Sequence, residues 1–164
     1  MMDDKKEVRV GIADSAIVSS PDRLITMGLG SCIGIAIYDR VRKTAGLVHI
    51  MLPDSKQFKN VVNPLKYADS GIENLVNQMI NKGCRKENMT AKIAGGASMF
   101  NFPDKKIISD IGKRNSLAAI EVINKLSIPI IGQDIGGNKG RTMIFESEDG
   151  SVLIKSIGSD IKRL

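Results

Sequence analysis

The residues best suited to covalent chemistry are one cysteine and the single histidine of the chain. Cys32 ends the run GLGSC, and His49 lies seventeen positions further on. A histidine beside a cysteine can draw the proton from the thiol, or stand by the thiolate as imidazolium and lower the pKa of the thiol. The two residues therefore predict nucleophilic catalysis by a thiolate if the fold brings them together.

A β-hairpin is the element that would bring them together. The β-branched residues at 33–38 predict a buried strand, the polar residues at 39–43 predict a turn, and GLVHIML at 46–52 predicts the return strand. Neighbouring strands lie about 4.8 Å apart, so side chains at similar heights on one face reach each other. We expect this hairpin to place Cys32 and His49 side by side.

The small residues before the cysteine predict a loop that binds an oxyanion. Gly28, Gly30 and Ser31 allow positive φ and a close approach of the backbone to a ligand. Backbone N–H groups exposed in such a loop would stabilise the oxyanion of a tetrahedral intermediate. The nucleophile, its base and the oxyanion donors would then come from one continuous segment.

Structural roles are open for the same residues. A strand cysteine commonly packs as a small apolar side chain, and a lone strand histidine is commonly structural or at the surface. Cys84 follows Gly83 at a predicted helix end, has no histidine to serve it, and is expected to be structural. Pattern alone therefore leaves both interpretations of Cys32 and His49 in place.

The glycine-rich segments of the chain do not match known cofactor-binding motifs. Residues 28–34 are one residue longer than the dinucleotide fingerprint and lead into a strand, while GGNKGR at 136–141 lacks the spacing and the Ser/Thr of a P-loop. The two cysteines and the histidine include no close pair of zinc ligands. We expect neither a cofactor nor a metal.

Length and composition predict one domain over residues 1–164, since this length can bury a real core. Two cysteines are not a disulfide framework, which favours a reducing compartment. The charged start MMDDKKEVRV lacks the apolar stretch of a signal peptide, and the longest apolar runs are too short to span a bilayer. We expect a cytoplasmic protein that is not embedded in a membrane.

The charge balance suggests an acidic partner without identifying it. The formal net charge is +6, but the basic residues are scattered and the chain has 4% aromatic residues and no tryptophan. Stacking platforms for nucleic acid are therefore scarce, and nothing beyond net charge supports a nucleic-acid binder. A solvated cationic surface and an acidic protein partner both fit.

Apolar periodicity predicts about eight strands and two helices. The helices are expected at 68–80, beginning near Asn63 and Pro64 and capped by Gly83, and at about 115–126, with Leu117 among its apolar positions. The strands are expected at 8–12, 23–27, 33–38, 46–52, 90–94, 130–135, 142–146 and 151–157, with GGNKG joining the sixth to the seventh and Asp149–Gly150 the seventh to the eighth. Hairpins outnumber βαβ units in this pattern, which predicts an α+β fold with mixed or antiparallel sheets.

Several blocks of the sequence resemble a known protein family. GLGSC at 28–32 followed by GLVHIMLP at 46–53 resembles the chemoreceptor glutamine deamidase family, known as CheD. The resemblance covers roughly residues 8–157 and continues through YADSGI at 67–72, KIAGGASMF at 92–100, IGKRN at 111–115 and DIGGNKGR at 134–141. It implies two mixed sheets packed together with helices outside, similar to the catalytic domain of the cytotoxic necrotizing factor toxins.

The resemblance also implies an activity and partners. The family hydrolyses receptor glutamines to glutamates, and its nucleophile falls on Cys32, its histidine on His49 and its third catalytic position on Thr26, whose hydroxyl would orient the imidazole. The implied substrate is the helical cytoplasmic domain of a chemoreceptor, and the implied partner is a CheC-type phosphatase. A non-catalytic regulator of that phosphatase is the alternative; its binding would survive Cys32→Ala, whereas deamidation would not.

Overall fold

The computed structural model describes residues 4–98 and 110–164. Its α-helices are α1 (Ala68–Asn81) and α2 (Asp110–Lys125). Three-residue 3-10 helices lie at Ser55–Gln57, Pro64–Lys66 and Lys86–Asn88. The strands are β1 (Glu7–Arg9), β2 (Ser15–Ser19), β3 (Arg23–Leu29), β4 (Ile33–Asp39), β5 (Thr44–Ile50), β6 (Met89–Gly95), β7 (Ile130–Ile135), β8 (Arg141–Glu146), β9 (Val152–Lys155) and β10 (Lys162–Arg163).

The strands form two mixed sheets of five strands each. The first sheet has the order β1-β3-β8-β9-β10, with β1 parallel to β3 and the other pairs antiparallel. The second has the order β2-β5-β4-β6-β7, with β6 parallel to β7 and the other pairs antiparallel. The predicted α+β fold of two mixed sheets is confirmed, and the further likeness to the necrotizing factor domain stays a prediction.

The second sheet is the middle layer of the molecule. One apolar cluster lies between the two sheets, and another lies between the second sheet and the helices. Every residue of β4 and of β5 is buried, because one face of these strands meets the first sheet and the other meets the helices. Burial on both faces explains why the two strands of the hairpin are nearly continuous runs of apolar residues.

Helix α1 buries one apolar stripe, as its spacing predicts. It begins at Ala68, and Asn63 and Pro64 instead start the preceding 3-10 helix, where the Asn63 side chain accepts from the N–H of Leu65. Gly83 has φ +103° and ends α1 as expected. Neither helix in the described part of the chain is long and apolar enough to cross a membrane.

Helix α2 begins at Asp110, earlier than predicted, because its first turns carry a glycine and charged residues that hide the helical period. Gly112 is needed there, since a Cβ would lie 2.7 Å from the Gly96 carbonyl oxygen. Leu117 is 58% exposed, so the prediction that it is one of the apolar positions that this helix buries was wrong.

Two features of the sheets differ from the predictions. The short strands β2 and β10 were not predicted, since one is half polar and the other has two residues. The GGNKG turn does not close a hairpin, because β7 lies in the second sheet and β8 in the first. The hairpin at Asp149–Gly150 is confirmed as β8–β9.

Candidate active site

His49 lies on β5, fully buried, on the face of the second sheet that meets the first. Its direct partner across the hairpin is Gly34. A Cβ on Gly34 would lie 2.8 Å from Met143 Sδ, 3.2 Å from Leu29 Cδ1 and 3.5 Å from Thr26 Cγ2, all from the first sheet. The missing side chain therefore lets the first sheet approach the strand that carries the imidazole.

Thr26 makes that approach a chemical contact. Its Oγ1 lies 2.7 Å from His49 Nδ1 and 2.7 Å from the carbonyl oxygen of Val10. A hydroxyl has one proton, and a carbonyl oxygen can only accept, so the threonine proton is donated to Val10. The second contact must then run from the Nδ1–H of His49 to the threonine oxygen. This chain of bonds fixes the tautomer that leaves Nε2 unprotonated.

Nε2 of His49 is the reactive end of this arrangement. It is buried and makes no hydrogen bond to any described residue, Cys32 included. A buried acceptor without a partner is costly, and such atoms in native proteins commonly mark catalytic groups. Burial lowers the pKa of His49 to about 4. The imidazole is therefore neutral near pH 7, with a lone pair ready to take a proton.

Cys32 lies on the same face of the hairpin as His49. It precedes Gly34 by two residues and packs against the cluster between the sheets. The prediction that Cys32 stands directly beside His49 was wrong by two residues, because the loop at 40–43 pairs Asp39 with Thr44. The pair is diagonal, a relation with a Cα spacing of about 7–8 Å that long side chains still span.

The thiol of Cys32 is protonated at rest. Burial raises its pKa, and its own backbone N–H opposes part of that rise. With a neutral thiol and a neutral imidazole, the resting site is not a thiolate–imidazolium pair. Catalysis by these two residues would require proton transfer from sulfur to Nε2 as the nucleophile attacks.

The loop before Cys32 begins at a bulge in β3. The register of β3 against β8 shifts between Thr26 and Leu29, and Gly28 has φ +71° there. The N–H of Gly30 donates to the Gly28 carbonyl at 3.0 Å. Gly30 is therefore not free to hold an oxyanion by its N–H, which corrects the expectation for that residue.

The backbone of residues 30–32 is clamped by its carbonyl groups. Three successive carbonyls each accept a hydrogen bond from the protein: Gly30 from Ala97 N at 2.8 Å, Ser31 from Asn115 Nδ2 at 2.9 Å and Cys32 from Gly96 N at 2.9 Å. In a trans peptide the C=O and the following N–H point in opposite directions. The N–H groups of Ser31 and Cys32 therefore point away from the carbonyls of Gly30 and Ser31, and neither donates to another described residue.

The clamp depends on residues that sequence reasoning left without a role. Gly95 has φ +120°, and a Cβ there would lie 2.1 Å from the Cys32 carbonyl oxygen. Arg141, nearly buried, binds the Gly95 carbonyl at 3.1 Å and pairs with Asp134 at 3.0 Å. The KIAGGASMF block contains this turn, and its last two residues, 99 and 100, lie outside the described residues.

The depressed pKa of His49 predicts a specific loss of stability in acid. The unfolded histidine titrates near 6.5 and the folded one near 4, so between these values the unfolded state binds more protons. The free energy of unfolding should fall by about 3 kcal/mol as pH drops through this window, beyond the contribution of the carboxylates. Urea unfolding from pH 7.5 to 4 checks this.

His49→Gln is the control for that series. Its free energy of unfolding should lack this part of the pH dependence, so the difference between wild type and variant should change by about 3 kcal/mol between pH 6.5 and pH 4. Parallel curves for the two proteins would contradict a neutral, buried His49.

Two solved structures are similar to this chain at low sequence identity. A Neisseria meningitidis protein of the DUF152 family aligns with a TM-score of 0.49 and 10% identity, covering 82% of this chain and 63% of that one. The Bacillus licheniformis hypothetical protein YfiH aligns with a TM-score of 0.44 and 16% identity, covering 76% and 50%. At these TM-scores neither likeness bears on the site.

Sequence comparison is far more specific. A protein of Clostridium kluyveri named probable chemoreceptor glutamine deamidase CheD is 55% identical over 159 residues, covering 97% of this chain and 98% of that protein. A Clostridium botulinum protein of the same name, from strain Eklund 17B, is 59% identical over 158 residues, covering 96% and 98%. The family model for CheD chemotactic sensory transduction matches residues 51–156. This chain belongs to the CheD family.

Proposed function

We propose that this chain is a protein-glutamine deamidase that converts glutamine side chains of methyl-accepting chemoreceptors to glutamate. The observation that carries the proposal is the 2.7 Å contact from Thr26 to His49, a residue on the same hairpin face as Cys32, because this contact leaves Nε2 free to act as a base. The names of the curated relatives support the substrate class.

The first half of the reaction makes a thioester. Sγ of Cys32 attacks the carboxamide carbon while Nε2 of His49 takes the thiol proton, and the carbonyl electrons move to oxygen. The outward N–H groups of Ser31 and Cys32 hold that oxyanion. His49 then gives its proton to the nitrogen, the C–N bond breaks, and ammonia leaves.

The second half returns the enzyme. A water molecule attacks the thioester carbon as Nε2 of His49 takes its proton, and the same N–H groups hold the second oxyanion. The C–S bond then breaks, His49 returns the proton to sulfur, and glutamate departs. Thr26 acts throughout by keeping Nδ1 protonated, so that Nε2 alone exchanges protons.

The surface beside the loop suits an acidic substrate. A groove of about 680 Å³ is lined by residues that include Gly28, Lys139 and Lys155, and no carboxylate of a described residue lines it. Together with the net charge of +6, this favours approach to a surface rich in glutamate. Gly28 therefore belongs to the proposed substrate-binding surface.

The setting of the proposed activity follows from the nucleophile. A catalytic thiol must stay reduced, and both cysteines are free, so we propose that the protein acts in the cytoplasm. We also propose that residues 1–164 form a single domain. The CheC-type phosphatase implied by the resemblance stays a prediction. A non-catalytic regulator is not favoured, because the relatives are named for an enzyme activity.

The direct test is mass spectrometry of a purified chemoreceptor cytoplasmic fragment after incubation with the protein. Wild type should convert specific glutamines to glutamates, and Cys32→Ala and His49→Gln should not. Cys84→Ala is the matched control, since Cys84 is buried at the end of α1 and should be dispensable. Activity in Cys32→Ala, or none in a folded wild type against several receptors, would count against the proposal.

Thr26 provides a second test, of orientation rather than nucleophilicity. Thr26→Val keeps the shape but removes the acceptor for Nδ1–H, and should lower kcat by about 10- to 100-fold, as expected for loss of one hydrogen bond to a buried group. Thr26→Ser keeps the hydroxyl and should stay within about threefold of wild type. Equal rates of deamidation for the two variants would show that the hydroxyl does not orient the base.

A further inference from the structure

One buried side-chain amide bridges the two halves of the site. Asn115, in the second turn of α2, is fully buried. Its Nδ2 donates to the carbonyl oxygens of Ser31 and Met51, each at 2.9 Å. Ser31 directly precedes the nucleophile, and Met51 follows His49 by two residues, so one NH₂ group holds both catalytic segments.

This bridge lies where the hairpin ladder ends. The last paired residues of β4 and β5 are Ile33 and Ile50. Beyond them the strands separate, because Met51 donates its N–H to Lys66 rather than to the partner strand. Cys32 lies on the separating side of this junction. The Asn115 amide therefore takes the place of the next pair and holds the ends of the strands at a fixed spacing.

The residue type is specified by this geometry. Both neighbours of Nδ2 are carbonyl oxygens, which only accept, so the amide must present its NH₂ there and its orientation is settled by chemistry. Two donors on one short side chain are what the position requires, and serine, aspartate and leucine lack them. Oδ1 of Asn115 is buried without a partner among the described residues, a penalty that a side chain serving packing alone would avoid.

We propose that Asn115 is a positioning residue that sets the distance and angle between Cys32 and His49 by bridging Ser31 and Met51. The inference rests on the thiol mechanism proposed above. It assigns α2, which contributes no reacting atom, the task of coupling the thiol to its base. Without the bridge, the loop and the end of β5 move independently, and the diagonal pair loses the alignment that proton transfer needs.

Alkylation of Cys32 by iodoacetamide tests this coupling without any receptor. The rate is measured by mass spectrometry of the Cys32 peptide at pH 7 in wild type, His49→Gln, Asn115→Leu and the double variant. Cys32 in the His49→Gln variant should be alkylated about tenfold or more slowly than in wild type, as expected for loss of a general base. In a protein that already carries Asn115→Leu, adding His49→Gln should slow alkylation by less than about twofold. Such a reduced effect indicates that the two residues are coupled.

Ile123→Val is the matched control, since Ile123 is a fully buried residue of the same helix whose aliphatic side chain cannot hydrogen-bond either carbonyl. It should keep the full effect of His49→Gln, and circular dichroism should show all variants folded. If Asn115→Leu does not fold, Asn115→Ser replaces it in the same comparison of single and double variants. Serine retains one donor and should give an intermediate coupling.

The proposal is overturned if His49→Gln slows alkylation by the same factor with and without Asn115. It is supported if the factor collapses in Asn115→Leu and survives in Ile123→Val. Loss of deamidation with this coupling intact would instead count against the receptor substrate and leave the role of Asn115 standing. Deamidation by Asn115→Leu should show a lower kcat with KM little changed.

Discussion

A relay of two hydrogen bonds orients His49 at the candidate site, and the proposed chemistry depends on it. The Thr26 hydroxyl donates a hydrogen bond to the Val10 carbonyl oxygen, and Nδ1–H of His49 donates to Thr26 Oγ1, each at 2.7 Å. The backbone of the first sheet thereby fixes the tautomer of a histidine in the second. Gly34 has no side chain, so the sheets can come this close without filling the space with a methyl group. Burial keeps the resting imidazole uncharged, and the neutral threonine adds no charge that would oppose this.

The nucleophile loop is held by a different device, in which the backbone is bound only through its carbonyl groups. Gly96, Ala97 and Asn115 bind three successive carbonyls, which turns the N–H groups of Ser31 and Cys32 outward. In the proposed mechanism these donors are in place before substrate arrives, so no reorganisation is needed when the oxyanion forms. The Gly95–Gly96 turn and α2 thus supply the fixed frame, while the hairpin supplies the reacting atoms.

The sequence pattern predicted the hairpin and helix α1, because these elements are continuous apolar runs or show one clear helical period. The two packed mixed sheets were implied by the family resemblance. The register of Cys32 against His49 was missed by two residues, since it depends on the loop length at 40–43. Thr26 came from family resemblance alone, because it lies on another sheet. Gly95 and Asn115 were missed for a related reason: they act by touching backbone carbonyls, and no side-chain pattern records such contacts.

Nitrogen-15 NMR of the imidazole tests the central claim most directly, because the chain contains a single histidine and the spectrum needs no assignment. At pH 7 a long-range proton–nitrogen spectrum should show a protonated Nδ1 and an unprotonated Nε2, and this pattern should persist until the pH approaches 4. Thr26→Val should lose the fixed tautomer. A proton on Nε2, or a doubly protonated ring at pH 7, would contradict the relay and with it the proposed role of His49 as the base.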